Sequence, residues 1–128
     1  MLVLKDAVLV DGGSAQLGNM LIQGEIILES GPGCPIPEEA QVLDLKGSYV
    51  IPGLIDAHTH LGGSASFERP PHTGRFVSYD YAQHREAALE WGVTAVRSAG
   101  DFMPDILEIR NLASSGQIRS PRIQTAGR

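Results

Sequence analysis

The second half of the chain alternates short apolar segments with helical ones, and this order limits the possible folds more than any other feature. Apolar or β-branched strands are predicted near 50–60, 93–97 and 121–128, with helices near 78–91 and 105–116. Strands joined through helices pair in parallel by right-handed crossovers. The spacing therefore predicts a parallel βαβαβ unit, which is how a (β/α)-barrel begins.

The first helix of this unit is predicted from a stripe of residues at three- and four-residue steps. The stripe comprises Tyr81, His84, Ala88 and Trp91, and Gly92 follows as a helix-ending glycine. We expect the stripe to pack against the sheet, with His84 at the edge of the core.

The apolar strand near 50–60 runs directly into two histidines, His58 and His60. Residues at i and i+2 of a strand share a face, so both imidazoles and Asp56 are predicted on one side. Unpartnered ionisable groups cost several kcal/mol to bury, so this face needs a ligand, a hydrogen-bond network or water. Two converging neutral imidazoles make half of a metal site. In the alternative interpretation, one histidine is exposed at the strand end and the other is satisfied in the core.

The first 49 residues are predicted to form a small antiparallel β unit. Its short strands are expected at 2–4, 7–10, 19–22, 25–29 and 41–45, separated by Gly-, Pro- and Asp-containing turns. Residues 1–49 are therefore assigned to one part of the chain and residues 50–128 to another.

Composition excludes several classes of protein. The 128 residues carry a formal charge of −5 without a basic run, which argues against nucleic-acid binding. No apolar run has transmembrane length, and Lys5 and Asp6 interrupt any signal-peptide pattern, so no membrane association is expected. Cys34 cannot form an internal disulfide and is expected to be a surface loop thiol, which favours a reducing, cytoplasmic setting.

Two stretches of the sequence resemble the N-terminal part of the amidohydrolase superfamily of metal-dependent hydrolases. Residues 52–60, PGLIDAHTH, are similar to the PGLIDxHxH first barrel strand of that family, and the preceding β unit resembles its small sandwich domain. Residues 92–100 and 120–128 look like the second and third barrel strands of the imidazolonepropionase-like and prolidase-like branch. That branch commonly has Asp where this chain has Ser98.

The resemblance implies an α/β fold in two parts. Residues 1–49 would be part of a composite β-sandwich, and residues 50–128 would be about three β/α units of an incomplete TIM-like (β/α)8 barrel. A complete barrel has about 250 residues, so we expect the chain to be an N-terminal fragment of a longer enzyme.

The resemblance also implies a chemistry. His58 and His60 would bind a divalent metal, most often zinc, with one or two ions in the complete parent. The parent would hydrolyse a C–N bond of a small-molecule substrate, such as an amide, lactam, amidine or dipeptide. The family's other ligands and its general base lie on later strands, so no catalytic residue is assigned within this chain, which is expected to be inactive alone.

Other polar residues have two possible roles each. Asp56 could orient an imidazole or bind backbone N–H groups, and His72, in the loop after the first strand, could approach the substrate or lie exposed. Asp101, after the second strand, could face the mouth of the barrel or cap the helix that follows, and the cap is favoured.

Two further hypotheses for function stay open. In the first, the chain is a non-catalytic interaction or assembly module that self-associates through the open edge of its incomplete barrel. In the second, a metal half-site is completed between protomers, with His72 or His84 as additional ligands.

Overall fold

The computed structural model describes residues 1–62, 78–101 and 103–126. The chain divides into two compact units, Met1–Pro52 and Gly53–Arg128. His72 lies outside the described residues, so its two possible roles stay predictions. None of the described helices combines the length and the apolar content that a membrane span requires.

The first unit is built on one five-stranded sheet. Its strands are β1 Leu2–Asp11, β2 Ser14–Gln23, β3 Ile26–Gly31, β4 Gln41–Asp44 and β5 Tyr49–Val50. The path of the sheet is β3-β2-β1-β4, and β5 also pairs with β1.

The first strand is continuous, although the sequence predicts two strands, at 2–4 and 7–10. Leu4 pairs with Met20 and Ala7 with Gly18, so two residues of β1 face one residue of β2 in a β-bulge. Asp6 adopts a positive φ of 51° there, and its N–H donates to Asn19 Oδ1 at 3.1 Å. The Asn19 side chain replaces the missing ladder bond, so the strand continues.

The prediction of a wholly antiparallel unit is wrong. β1 pairs antiparallel with β2 but parallel with both β4 and β5. The loop between β3 and β4 is long enough to return the chain to the free edge of β1 in the same direction. The local sequence pattern predicts where strands form, but it does not predict whether strands far apart in the sequence pair in parallel or antiparallel.

Cys34 is buried in this unit, so the prediction of a surface thiol is also wrong. It packs with Val3 and Leu21, and only 5% of it is exposed. Its Sγ lies 3.6 Å from the carbonyl oxygen of Glu29, in hydrogen-bonding contact. Cysteine behaves here as a small apolar residue that anchors a Gly/Pro loop to the sheet.

The second unit confirms the predicted order of strands and helices. It comprises β6 Leu54–Thr59, α1 Ser78–Glu90, β7 Val93–Ser98, α2 Asp105–Ser114 and β8 Arg122–Thr125. The three strands pair in parallel in the order β6-β7-β8. Parallel strands bring their carboxyl ends to one edge of the sheet, where His60, Ser98 and Thr125 lie.

The core of the second unit lies between the sheet and its helices. Its fully or almost fully buried members are Leu61, Tyr81, Val96, Ile106 and Ile123. Burying an aliphatic side chain of this size contributes about 1.5–3 kcal/mol.

The predicted stripe of α1 is buried only in part. Tyr81 is 1% exposed, whereas Trp91, which follows the last residue of the helix, is 81% exposed. Arg85, which was not singled out from the sequence, is 8% exposed and donates from Nε to the Tyr81 carbonyl at 3.0 Å. Its guanidinium also donates to the Arg119 carbonyl, so it links α1 to the segment that precedes β8.

Candidate functional site

The two histidines lie at the carboxyl end of β6, and both are exposed. Their ring centroids are 5.6 Å apart, and the ring planes meet at 70°. This edge contact confirms that the imidazoles of His58 and His60 lie on the same side of the strand.

The spacing of these rings fits a shared metal ion. Zinc lies about 2 Å from a bound imidazole nitrogen, so two rings on one ion have centroids within about 6 Å of each other. Neutral imidazole is also a preferred ligand of zinc and related divalent ions. Within the described residues, however, no group of three or more His, Cys, Asp or Glu side chains could hold a metal ion. His58 and His60 therefore fit one half of a coordination sphere.

A β-bulge in β6 contains the first histidine, His58. Asp56 pairs with Val96 and Thr59 with Ser98, so three steps along β6 match two along β7. The Asp56 carboxylate accepts the His58 backbone N–H at 3.0 Å. Of the two roles considered for Asp56, the structure shows the backbone one: the carboxylate bonds the amide within the bulge.

Asp101 is the buried acid of the site. Its carboxylate accepts the Leu61 N–H at 2.8 Å, the Gly62 N–H at 3.1 Å and the Ser98 hydroxyl at 2.5 Å. Only 5% of Asp101 is exposed. The helix cap favoured from the sequence is wrong, because α2 is preceded by Pro104 and has no side-chain cap. The carboxylate instead joins the end of β7 to the residues that follow His60.

His84, on α1, contacts the backbone of the segment that follows His60. Its Nδ1 lies 2.7 Å from the carbonyl oxygen of Leu61. A carbonyl oxygen can only accept, so Nδ1 carries a proton. This half-buried histidine confirms the predicted position at the edge of the core.

The Tyr81 side chain packs against Gly62, in the segment that follows His60. A Cβ placed on Gly62 would lie 2.5 Å from both Cζ and the hydroxyl oxygen of Tyr81, so only glycine fits there. Among the described residues, the Tyr81 hydroxyl has no hydrogen-bond partner. Burial, followed by the charges of Asp101 and Asp105, raises the pKa of this hydroxyl above its usual value.

An open cleft of about 430 Å³ lies between β6 and α1. Its walls include side chains of the two elements and of the residues directly after them: Asp56, Thr59, His60, His84, Ala88 and Trp91. The cleft brings His84 near the strand end but does not assemble a three-residue metal group within the described part of the chain.

The roles of Asp101 and Ser98 in holding the loop were not predicted from the sequence. The signal was present as a carboxylate three residues beyond a strand end, in the loop where parallel sheets place functional groups. The sequence favours a helix cap for Asp101 because the next residues include Pro104 and Asp105, a pair typical of a helix start.

Comparison with known proteins supports the resemblance seen in the sequence. The amidohydrolase family profile matches residues 49–127. A dihydroorotase of Mycobacterium leprae is 38% identical over 92 residues, which are 72% of this chain and 19% of that protein.

Solved structures agree with the sequence match. The structure of a Xaa-Pro dipeptidase with bound methionine superposes with a TM-score of 0.79 at 28% identity, over 99% of this chain and 33% of the other. Phenylurea hydrolase B gives a TM-score of 0.77 at 26% identity, over 98% of this chain and 30% of the other. The chain thus spans about a fifth of the curated relative and about a third of these structures.

The family profile covers more than half of the chain, including all of β6 and both histidines at its carboxyl end. The chain therefore belongs to the amidohydrolase family.

Proposed function

We propose that the chain contributes the first two metal ligands, His58 and His60, of a divalent-metal-dependent hydrolase. The observation that carries this proposal is the 5.6 Å contact of two exposed imidazoles at the carboxyl end of a parallel strand. Zinc is a metal that suits neutral imidazole ligands, and the complete protein would hold one or two ions.

The reaction proposed for the complete protein is hydrolysis of a C–N bond in a small substrate: an amide, lactam, amidine or dipeptide. Similar proteins support this class, since a Xaa-Pro dipeptidase and a phenylurea hydrolase are named for cleaving a peptide and a urea. When bound, the ion supplies Lewis-acid polarisation of the scissile carbonyl and lowers the pKa of water toward neutrality. The residues of this chain hold and orient the imidazoles.

We also propose how the two parts of the chain fit a larger architecture. Residues 1–49 would form part of a composite β-sandwich, and residues 50–128 the first β/α units of a TIM-like barrel. The three parallel strands support the second assignment, because barrel active sites lie at the carboxyl ends of such strands.

We infer that these 128 residues do not catalyse the reaction alone. Catalytic zinc sites typically have three protein ligands, and no set of three is gathered among the described residues. The remaining ligands and the general base would come from further strands of the complete barrel.

A second candidate function is that of a non-catalytic assembly module. The specific observation that favours it is apolar exposure along the edge strand β6, where Leu54 is 48% and Ile55 73% exposed. An exposed apolar strand edge pairs readily with another chain. Such pairing would also allow a metal half-site to be completed between protomers.

Zinc titration of the full chain by isothermal calorimetry tests the leading proposal. We expect the wild type to bind zinc, and His58→Ala and His60→Ala each to lose most of the affinity. Gln83→Ala, an exposed polar residue of α1, is the matched control and should bind as the wild type does. Equal affinity in all four proteins would refute the metal site.

A further inference from the structure

We propose that Asp101 and His84 are positioning residues for the His60 imidazole. This inference rests on the proposed metal role of His60, and it assigns Asp101 and His84 a role that acts through the backbone beside His60. Together they hold the residue that follows His60 from two sides.

The geometry centres on Leu61, which is 3% exposed. The Asp101 carboxylate accepts both the Leu61 N–H at 2.8 Å and the Gly62 N–H at 3.1 Å. His84 Nδ1 lies 2.7 Å from the Leu61 carbonyl oxygen. The peptide unit between Leu61 and Gly62 is therefore bound at its N–H by the carboxylate and at its C=O by the imidazole. Hydrogen bonds that a carboxylate accepts belong to the stronger class of protein hydrogen bonds.

This arrangement reaches His60 because the residues that follow β7 bind the backbone on both sides of it. Before it, the Thr59 carbonyl accepts the Ala99 N–H at 2.8 Å. After it, the peptide that links His60 to Leu61 donates its N–H to Asp101. Each peptide plane around His60 thus has a hydrogen bond, which restricts the backbone from which the ring projects.

The Asp101 carboxylate is itself held in place by a hydrogen bond from a buried side chain. The Ser98 hydroxyl donates to Asp101 Oδ2 at 2.5 Å, and Ser98 is completely buried. Because a metal site must hold its ligands to within a fraction of an ångström, loosening this support should weaken metal binding although the ligands are unchanged.

The experiment measures two properties of the full chain: zinc affinity, and the NMR resonances of the His60 ring in the absence of metal. The test variants are Asp101→Asn, which removes one acceptor oxygen, and His84→Leu, which removes the donor. His84→Asn places an amide N–H near the position of Nδ1 and serves as the rescue. Glu108→Gln, an exposed carboxylate of α2, is the matched control.

We expect Asp101→Asn and His84→Leu to weaken zinc binding about 10- to 100-fold, the usual effect of removing a group that supports a ligand. The His60 ring resonances should shift or broaden in both variants. His84→Asn should recover most of the affinity lost in His84→Leu, and Glu108→Gln should change neither property. Amide spectra outside the segment show that each variant is folded.

Unchanged His60 resonances together with wild-type zinc affinity in the folded test variants would overturn the inference. If the wild type binds no zinc, the proposed function fails, and the ring resonances alone decide the inference. Moved resonances would then uphold the positioning role, and unmoved ones would refute it. A variant that is only less stable would have a lower melting temperature but no change specific to the His60 ring resonances.

Discussion

The Asp101 carboxylate accepts the backbone N–H of Leu61 at 2.8 Å, although the two residues are 40 positions apart. The bond joins the end of β6 to the loop after β7, directly beside His60. Neighbouring strand ends of the parallel sheet are thus held together by a buried carboxylate as well as by the ladder.

Replacing Asp101 by alanine should destabilise the second unit by at least about 2 kcal/mol. The substitution leaves two backbone N–H groups and the Ser98 hydroxyl without their acceptor, and each unsatisfied buried group costs about 1–3 kcal/mol. Urea unfolding followed by fluorescence measures the change. Ser98→Ala removes only one donor and should cost less; an equal or greater loss in Ser98→Ala would contradict this account.

Gly62→Ala should also be destabilising, by about 1–3 kcal/mol. The new methyl group would meet the buried Tyr81 ring at 2.5 Å, and overpacking forces side chains or backbone to move. Gly33→Ala is the matched control, since nothing lies within 4 Å of its added Cβ. Thermal unfolding of both variants measures the difference, and similar melting temperatures would show that Tyr81 yields without cost.

Tyr81→Phe should be neutral or stabilising near pH 7. The buried hydroxyl has no partner among the described residues, so its removal breaks no hydrogen bond within that part of the chain and relieves an unsatisfied polar group.

The same variant should also change the pH dependence of stability. Burial raises the pKa of Tyr81 in the folded state, so above about pH 10 the unfolded chain loses this proton first. The wild type should therefore lose stability there faster than Tyr81→Phe does. Urea unfolding of both proteins at pH 7 and pH 10.5 tests both statements. The second would be contradicted if the unfolding free energy fell equally in the two proteins between these pH values.

Self-association should depend on the apolar edge strand β6. Ile55 is 73% exposed there, so Ile55→Lys should reduce association by placing a charge at the edge. Light scattering across a concentration series measures the mass. Leu17→Lys, at an exposed apolar position of β2, is the control and should associate as the wild type does. A monomeric wild type at all concentrations would refute the assembly proposal.

Much of the second unit could be predicted from the sequence because its signals are local. The strand into His58 and His60, the helix ending before Gly92 and the strand at 93–97 each occupy one run with its own periodicity and end signals. The first unit was harder to predict. The bulge at Asp6 depends on the Asn19 side chain, and the parallel pairing of β4 depends on the course of a loop.

The sequence by itself determined the family, the order of the parallel strands and helices, and the pairing of two imidazoles on one side of a strand. Only the tertiary structure decided what supports them: Asp101 at the Leu61 N–H, His84 at its carbonyl, and Tyr81 against Gly62. The reason is physical. Periodicity and spacing report which face a residue occupies within its own element, whereas hydrogen bonds between distant residues depend on how those elements pack.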